Sequence, residues 1–471
     1  MISLTPHIIG GLFILYTYEF ILYTMPMDIF EKISSLAKRR GFIYQGSEIY
    51  GGLAGTWDYG PLGVELKRNL KNEYWKTMVQ IRNDVVGVDA AIVMNPKVWE
   101  ASGHTESFAD PLSECKKCHH RFRADKIIPE EILNSNNFNI AEYKCPDCGG
   151  ELTEPKRFST LVETYLGVIE GEKLKTYLRG EITQGVHVNF KNVLSSSRVK
   201  LPFGIAQIGK AFRNEITPGD FTFRSREFEQ MELQFYVKPN DEESMKWFEY
   251  WKEERRKWYL SLGMREENLQ FKGHVKLAHY AKAAFDIEYK ARDEWWEMEG
   301  IHHRGTWDLS RHEQYSKQDM TYFDEEAKER YTPMVIETSG GVDRATLFFL
   351  MDAYREEEVK EGDTRIVLKL HPKLAPMKAA VFPLLANKPE LVEKARGIYN
   401  ELRKEWMIAW DERGNIGKRY RAQDEAGTPF CFTVDFETLE NDTVTVRDRD
   451  AMTQERIKIS EIHDFIKNKL Q

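Results

Sequence analysis

The sequence predicts an α+β protein in which strands pack against amphipathic helices. Three observations support this class: a pair of strands joined by a turn between Ala206 and Val237, a buried strand followed by a helix from Met334, and a long amphipathic helix from Asp241. The chain has 471 residues, 41% of them apolar, and only 17 prolines, as is typical of globular proteins. Because this length exceeds one hydrophobic core, we expect about two or three domains.

The strand pair has one polar face. Ala206, Ile208 and Phe212 alternate with period two, which predicts a strand that carries Arg213 and Glu215 together on its other face. Pro218-Gly219-Asp220 supplies a tight turn. In the second strand we expect a buried face made of Met231, Leu233, Phe235 and Val237, and an opposite face made of Phe228, Glu232 and Gln234.

The two strands therefore present Arg213, Glu215, Phe228 and Glu232 to one cleft. An arginine binds phosphate bidentately and an aromatic ring stacks on a base, so this face predicts an ATP site. A solvated hairpin with cross-strand ion pairs is the alternative.

A second segment combines a strand with a helix. Met334 to Thr338 is predicted to be a buried strand, Ser339-Gly340-Gly341 a turn, and the chain from Val342 a helix. One stripe of this helix is apolar and contains Leu347, Leu350, Met351 and Tyr354. Arg344 falls in the first helical turn, where free N–H groups and the helix dipole favour anions. A cation is locally unfavourable at this place, which suggests that Arg344 binds an anionic ligand. The alternative is an arginine paired with Asp343 or another acid.

Two further helices have apolar stripes. The helix after Gly60-Pro61-Leu62-Gly63 has a stripe that must pack on the core or on another subunit, made of Leu66, Leu70, Tyr74 and Met78. The helix from Asp241 is expected to bury Trp247, Tyr250, Trp251 and Trp258. We expect its charged residues to form a solvated face.

Four of the five cysteines form two Cys-x-x-Cys pairs, Cys115 with Cys118 and Cys145 with Cys148. Four thiolates at this spacing predict a closed, structural zinc site in a reducing compartment. Free thiols are the alternative, and His119 and His120 are possible replacement ligands. The fifth, Cys431, is predicted to be a buried small hydrophobe.

The ends of the chain differ in character. Ile8 to Tyr23 is apolar, but Glu19 interrupts it and no basic region or cleavage site accompanies it, so residues 1–26 are predicted to be a non-native or disordered extension before Met25 or Met27. A membrane anchor is the alternative. The net charge of −8 excludes a uniformly basic wrapper of nucleic acid, so RNA contacts require local patches.

From His371 strands and helices alternate. We expect a strand in MKAAVFPL, a helix from Pro389 to Ile408, and a connection formed by IGKRYRAQDEAGTPF. That connection carries Lys418, Arg419 and Arg421, for which phosphate contact is a natural use. A solvated helix end balanced by Asp424 and Glu425 is the alternative.

Several strings together resemble class II aminoacyl-tRNA synthetases, and more narrowly the dimeric glycyl-tRNA synthetase family, from about Met27 to the end. They are WDYGPLGVELKRNLKNEYW, WEASGHTESFADPL, LRGEITQGVHVNF, FRNEITPGDFTFRSREFEQME, MEGIHHRGTWDLSRH and IETSGGVDR. The resemblance implies a class II antiparallel sheet flanked by helices, with a zinc-ribbon insertion and a C-terminal α/β anticodon-binding domain. The implied domains are residues 27–109 with 156–362 for catalysis, 110–155 for the insertion and 371–471 for anticodon binding.

The resemblance further implies a cytoplasmic homodimer, with no membrane partner, that uses ATP and Mg²⁺ to activate glycine as glycyl-adenylate and transfers it to tRNA(Gly). Carried over by motif, Arg213 holds the α-phosphate, Glu215 reads adenine, Phe228 stacks on it and Arg344 takes the γ-phosphate. The full set of implied ATP contacts is Arg213, Asn214, Glu215, Phe223, Arg224, Ser225, Arg226, Glu227, Phe228, Glu297, Met298, Gly341, Val342, Asp343 and Arg344. No motif contains a His–carboxylate or Ser–His pair, so catalysis is expected to come from positioning and charge stabilisation, with Arg213 and Arg344 as catalytic groups.

Glycine has no side chain to recognise, so its ammonium and its small size must carry selectivity. The resemblance implies that carboxylates surround the ammonium and that Arg304 binds the carboxylate. The implied glycine contacts are Arg123, Glu181, Phe228, Glu229, Gln230, Met231, Glu232, Arg304, Glu337, Thr338, Ser339, Gly340 and Gly341.

Two departures from the family pattern stand out. Gly180-Glu181-Ile182-Thr183-Gln184 replaces the usual Pro-Glu-Thr-Ala-Gln, which is expected to loosen the strand carrying Glu181. The motif 2 turn lacks the eukaryotic arginine, so contacts with the tRNA acceptor end are not implied. Two other classes remain open: a non-catalytic synthetase-like protein, such as a polymerase accessory subunit, and a zinc-ribbon module that binds nucleic acid.

Overall fold

The computed structural model describes residues 28–470, except for 134, 136–137, 170, 217 and 275–281. The extension predicted for residues 1–26 lies outside the described residues. Within them, no helix is both long and apolar enough to cross a membrane.

The strands, numbered along the chain, are β1 (Ile43–Gln45), β2 (Trp57–Tyr59), β3 (Val85–Gly87), β4 (Ala109–Glu114), β5 (Arg121–Arg123), β6 (Lys156–Ser159), β7 (Val162–Leu166), β8 (Leu174–Leu178), β9 (Phe203–Phe212), β10 (Glu227–Val237), β11 (Leu269–Gly273), β12 (Ala283–Ala291), β13 (Glu294–Gly305), β14 (Tyr322–Asp324), β15 (Glu329–Tyr331), β16 (Met334–Gly341), β17 (Tyr354–Lys360), β18 (Asp363–Leu368), β19 (Ala379–Pro383), β20 (Ile408–Trp410), β21 (Phe430–Val434), β22 (Thr443–Asp448) and β23 (Gln454–Lys458).

The α-helices are α1 (Ile29–Arg40), α2 (Pro61–Trp75), α3 (Lys97–Ala101), α4 (His104–Ser107), α5 (Glu130–Leu133), α6 (Thr183–Val188), α7 (Phe190–Ser197), α8 (Asp241–Ser261), α9 (Trp307–Ser316), α10 (Val342–Ala353), α11 (Pro389–Leu402), α12 (Ile416–Ala426), α13 (Phe436–Asn441) and α14 (Ile462–Lys469).

A seven-stranded sheet forms the centre, in the order β11-β12-β13-β16-β10-β9-β3. Its pairs are antiparallel, apart from β3, which runs parallel to β9 at one edge. The apolar residues of β10 lie in one core with α1, α2, α8 and α10, and Met231, Leu233, Phe235 and Val237 are all buried there. The predicted α+β class with an antiparallel sheet is therefore confirmed.

The link between β9 and β10 is longer than predicted. β9 ends at Phe212 and β10 begins at Glu227, so Arg213 and Glu215 lie beyond the strand and not on its face. Pro218-Gly219-Asp220 turns only an inner part of this link, where Gly219 pairs with Arg224. Beyond the strand the backbone N–H of Arg213 still donates to Arg226 O at 2.9 Å, whereas that of Asn214 donates to Thr160 O at 2.8 Å, outside the sheet.

The turn predicted at Ser339 to Gly341 is wrong, because β16 runs through these residues. Ser339 and Gly340 pair with β10 on one side and with β13 on the other, and two neighbouring strands hold the segment extended despite its glycines. Helix α10 begins directly at Val342, and Arg344 lies in its first turn as predicted.

The predicted stripe is buried in the chain's own core: Leu66, Leu70 and Tyr74 belong to α2, and Met78 belongs to the π-helical turn Lys76–Gln80 that follows it. In α8, Trp251 and Trp258 are buried as expected, whereas Tyr250 is 37% exposed. The expected solvated charge face is wrong for Arg255, which is fully buried. Its guanidinium donates to Glu299 at 2.6 and 2.9 Å, and the Tyr259 hydroxyl donates to the same carboxylate at 2.6 Å.

The C-terminal unit is a five-stranded mixed sheet in the order β20-β19-β21-β22-β23. Helix α11 ends at Leu402, six residues before the predicted end at Ile408, where β20 begins. The predicted connection from Ile416 is helix α12, whose first turn is capped by Asn415 accepting from the N–H of Lys418 at 2.9 Å. Cys431 is buried as predicted.

The basic cluster on α12 does not form one phosphate surface. Arg419 is buried and donates to the carbonyl oxygens of Pro383 and Gly414. Arg421 pairs with Asp363 on β18 at 2.9 Å. Buried Asp424 pairs with Arg365 of β18 at 3.1 Å and with Arg447 at 2.8 Å, which ties this unit to the hairpin β17–β18 that follows α10.

We expect Arg255→Ala to lower the free energy of unfolding by about 3–5 kcal/mol, because it leaves the Glu299 carboxylate buried without its cation. Urea unfolding followed by tryptophan fluorescence measures this change. Lys257→Ala, in an exposed i,i+3 pair of the same helix, is the matched control and should stay close to the parent. Equal stability of the two variants would contradict the role of the buried pair.

Candidate functional site

A cavity opens on the sheet face opposite the helical core. Side chains of a strand alternate between faces, and residues that alternate with the core set, such as Gln230, His302 and Glu337, supply part of the lining. The strand residues that line it are Phe228, Glu229, Gln230, Glu297, Met298, Gly300, His302, Arg304, Glu337, Ser339 and Gly341. The remaining lining residues come from loops and helix starts: Glu181, Thr183, Arg213, Glu215, Thr222, Phe223, Arg224, Ser225, Asp343 and Arg344.

Two arginines reach one end of the cavity. The Arg344 Nη1 atom donates to Glu297 Oε1 at 2.9 Å, and its guanidinium lies 4.5 Å from the centre of the Phe223 ring. The partner of Arg344 is therefore Glu297, not Asp343. Arg344 lowers the pKa of the Glu297 carboxyl more than partial desolvation of this half-exposed side chain raises it.

Arg213 lies between two aromatic rings. Its guanidinium is 5.1 Å from the Phe108 ring and 5.3 Å from the Phe228 ring, and its Nε atom donates to Gly180 O at 3.0 Å. The two rings pack near the guanidinium, and the hydrogen bond to the backbone oxygen of Gly180 fixes the Nε atom. The positive charge is therefore oriented before any ligand binds.

Asp343 joins the start of α10 to two other segments. It accepts from the Tyr59 hydroxyl at 2.6 Å, from Lys67 Nζ at 2.8 Å and from the backbone N–H of Glu229 at 2.6 Å. Lys67 also pairs with Glu229 at 2.8 Å. Tyr59 and Lys67 were not predicted from the sequence, because each looks like an ordinary residue of its segment until the fold brings it to Asp343.

Three carboxylates gather at the other end. Glu232 and Glu337 are buried on adjacent strands, and the Thr183 hydroxyl lies 2.6 Å from Glu232 and 3.3 Å from Glu337. Burial and the charges of Glu337 and Glu181 raise the pKa of Glu232 to about 8. Burial also opposes ionisation of Glu337, but Arg304 and His302 outweigh it and lower that pKa.

Histidines accompany these acids. His302 Nδ1 lies 2.8 Å from Glu337, and His104 Nε2 lies 3.3 Å from Glu181. Burial would raise the pKa of Glu181, but His104 and Arg304 lower it to about 2. The site therefore contains two His–carboxylate pairs, although the sequence motifs taken singly contain neither. Each pair joins residues that are distant in sequence, so no single motif contains both members.

Arg304 is buried beside two acids. It donates to Asp308 at 2.7 and 2.9 Å and to Glu337 at 3.1 Å. Arg304 also lines the cavity, together with Glu181 and Glu337, which are predicted to bind glycine.

Other predicted residues lie away from the cavity lining. Arg123 pairs with Asp110 at 3.2 Å and with Asp125 at 2.6 Å. Asn214 and Arg226 line a neighbouring groove beside β4 and β6, and Glu227 pairs with Lys210. The remaining predicted residues outside the lining are Met231, Glu232, Thr338, Gly340 and Val342. Glu232 bonds to three lining residues, Thr183, Ser339 and Gln230, so it lies directly beneath the surface.

The four predicted cysteines meet beside the sheet β5-β4-β6. Their sulfur atoms all lie within 4.8 Å of one another, with Cys115 3.5 Å from Cys148 and Cys118 3.7 Å from Cys145. Tetrahedral zinc with Zn–S bonds of about 2.3 Å requires S···S separations of roughly 3.8 Å, so the group fits this metal. His119 and His120 are exposed and face Glu114 and Asp147, so neither belongs to the cluster.

Comparisons with known proteins agree with this architecture. A family described as tRNA synthetase class II core domain (G, H, P, S and T) matches residues 168–354, and the family described as anticodon binding domain matches residues 378–469. With the antiparallel sheet and its cavity, these matches define a class II aminoacyl-tRNA synthetase.

Relatives narrow the class further. Glycine–tRNA ligase of Clostridium kluyveri is 51% identical over 467 residues, which cover 95% of this chain and 100% of that protein. The same enzyme of Streptomyces coelicolor is 51% identical, covering 95% of this chain and 99% of that protein, and that of Geobacillus thermodenitrificans is 53% identical, covering 93% and 97%. The chain belongs to the glycine–tRNA ligase family, as its motifs predict.

Proposed function

We propose that this chain is a glycine–tRNA ligase that works in two steps within the cavity described above. The carboxylate of glycine attacks the α-phosphorus of ATP, which gives glycyl-adenylate and releases pyrophosphate. A terminal ribose hydroxyl of tRNA(Gly) then attacks the glycyl carbonyl and AMP leaves. The observation that carries the proposal is one cavity lined both by Arg213 and Arg344 and by Glu181 and Glu337, with the buried Glu232 bonded to the lining residue Thr183.

ATP is proposed to occupy the arginine end. Arg213 is held 5.3 Å from Phe228, so one guanidinium and one aromatic ring are available for the α-phosphate and the adenine base. Arg344 would bind the γ-phosphate, with Glu215 next to the base. The remaining proposed ATP contacts are the predicted residues that line the cavity: Phe223, Arg224, Ser225, Met298, Gly341 and Asp343.

Magnesium is proposed to bind near Glu297. This carboxyl is 53% exposed in its side chain and its pKa is lowered, so a hard oxygen ligand faces the phosphate end. When bound, Mg²⁺ would offset charge on the triphosphate. The Glu297–Arg344 pair of the free protein would then open, since the guanidinium and the carboxylate would each find a new partner of opposite charge.

Glycine is proposed to bind at the acid end, with its ammonium near Glu181, Glu232 and Glu337. Ser339 and Arg304 line the same end of the cavity. Several carboxylates around one ammonium repel one another, so the arrangement is favourable only if neighbouring groups reduce this repulsion. Arg304 does so for Glu337, with which it forms an ion pair.

The rate enhancement is proposed to come from placement. Arg213 is oriented by ring contacts and a backbone bond before ATP binds, so little reorganisation is required as charge develops at phosphorus. His302 and His104 bond to carboxylates and are proposed to orient them.

Zinc bound by Cys115, Cys118, Cys145 and Cys148 is proposed to be structural, since four thiolates leave no open position. The proposed domains keep the boundaries given in the sequence analysis. Homodimer formation and a cytoplasmic location are proposed from the sequence resemblance alone, and sedimentation of the purified protein tests the first.

Glycine-dependent exchange of pyrophosphate into ATP tests the proposed function directly. A synthetase-like protein without catalysis and a zinc-ribbon module that binds nucleic acid would both show no exchange. Exchange supported equally by alanine would refute the proposed selectivity.

We expect Arg344→Ala to abolish most glycine-dependent exchange, because the γ-phosphate loses its cation. The thermal midpoint should change little, since the side chain of Arg344 is partly exposed. Arg330→Ala removes an exposed arginine of β15 and serves as the control. Normal exchange by Arg344→Ala would refute the assignment.

We expect one zinc per chain in protein purified without chelator, measured by elemental analysis. Cys118→Ser should lose the metal and lower the thermal midpoint, whereas Cys431→Ser should keep it, because Cys431 lies in another core cluster. Zinc-free parent protein would contradict the site.

We expect Glu232→Gln to weaken glycine activation by about 1.5–3 kcal/mol, the strength of a charge-assisted hydrogen bond. The KM for ATP should stay nearly constant. Glu329→Gln, at an exposed position of β15, is the control. A raised KM for ATP with an unchanged KM for glycine would assign Glu232 to the nucleotide.

A further inference from the structure

Thr183 is the first residue of α6 and lines the cavity beneath the proposed ammonium position. Its side chain is almost fully buried, at 2% exposure. The hydroxyl has one proton, and the nearer acceptor is Glu232 Oε2 at 2.6 Å, whereas Glu337 Oε2 is 3.3 Å away. A distance of 2.6 Å is typical of an O–H donor bonded to a carboxylate.

The two glutamates on either side of Thr183 differ in their partners. Glu337 receives bonds from Arg304 at 3.1 Å and from His302 at 2.8 Å. Glu232 receives its bonds from neutral groups: Thr183, Ser339 at 2.7 Å, Gln230 at 3.0 Å and Gln234 at 3.4 Å. The anionic form of Glu232 therefore depends on hydroxyl and amide donors, whereas Glu337 has a guanidinium beside it.

We infer that Thr183 is a positioning residue of the glycine subsite, whose hydroxyl orients Glu232 and favours the carboxylate that receives the substrate ammonium. This inference rests on the proposed function and adds to it one residue with one defined task.

The charged surroundings of Glu232 come from several elements. Glu337 lies on β16, Glu181 precedes α6, and Arg179 and Tyr74 also interact electrostatically with Glu232. β13 lies on the other side of β16, and its residues Arg304 and His302 pair with Glu337. Burial and the two neighbouring carboxylates raise the pKa of Glu232, and the hydrogen bonds from Thr183 and Ser339 lower it.

The sign of the pH dependence follows from this balance. With the pKa of Glu232 at about 8 in the empty site, the neutral acid predominates at pH 7 and the carboxylate grows as the pH rises. Glycine affinity should therefore improve as the pH rises toward 8. Loss of the Thr183 hydroxyl removes a hydrogen bond that favours the Glu232 carboxylate. Without it, the same gain in glycine affinity should require a higher pH.

The test compares the parent enzyme with Thr183→Val and Thr183→Ser in pyrophosphate exchange, with the KM for glycine and for ATP measured between pH 6.5 and 9. Valine keeps the size of the side chain without the hydroxyl, and serine keeps the hydroxyl. We expect Thr183→Val to raise the KM for glycine roughly 10-fold or more at pH 7. In Thr183→Val the pH dependence of the KM for glycine should shift to higher pH, and the KM for ATP should stay constant. In Thr183→Ser both the KM for glycine and its pH dependence should match those of the parent.

Three outcomes would overturn the inference. They are a parent-like glycine profile in Thr183→Val, an equal loss in Thr183→Val and Thr183→Ser, and a parallel rise in the KM for ATP, which indicates a general disturbance of the fold. If the valine variant does not fold, Thr183→Ala is measured in its place and the same outcomes apply. A parent enzyme that lacks glycine-dependent exchange would instead refute the proposed function itself.

Discussion

The hydrogen bonds accepted by Asp343 are the interaction on which the site depends. One carboxylate receives a phenol from β2, an ammonium from α2 and a backbone amide from β10. β2 and α2 are consecutive in the chain, β10 lies far beyond them, and Asp343 itself belongs to the first turn of α10. Arg344 is the next residue of this turn, and its guanidinium reaches Glu297 and the Phe223 ring.

The central sheet separates two kinds of interior. On one face, apolar strand residues pack with four helices, and their burial supplies most of the driving force for folding. On the other face, the alternate residues are glutamates, glutamines and histidines that are nearly as well buried. A polar interior of this kind is stable only if its groups satisfy one another, and the Arg304–Asp308 and His302–Glu337 pairs do so.

Local patterns predicted individual elements well. The alternation of Met231, Leu233, Phe235 and Val237 gave the correct buried face of β10, and the position of Arg344 in a helix start was also correct. The errors have physical causes. Ser339 to Gly341 resemble a turn locally, but strands on both sides hold them extended. Helix α12 was missed although Asn415 and Gly427 cap it, because its residues have little apolar periodicity.

Side-chain partners were less predictable than backbone structure. Thr183, His104, His302 and Lys67 contact the predicted site residues, yet each is brought there from another part of the chain. The sequence identifies the acids and arginines through their motifs, whereas their partners depend on the tertiary fold. Burial of Arg255 has the same origin, since an arginine in a charge-rich helix gives no local sign of its buried acid.

The pairing of Asp424 with both Arg365 and Arg447 changes what the boundary near His371 means. A cut there would leave Arg365 on one fragment and Asp424 on the other, and the buried carboxylate would keep only one guanidinium. The isolated C-terminal fragment would then carry an electrostatic defect that its own hydrophobic core does not repair. The change of sequence pattern near His371 is therefore not a position at which the chain can be cut without destabilising the C-terminal fragment.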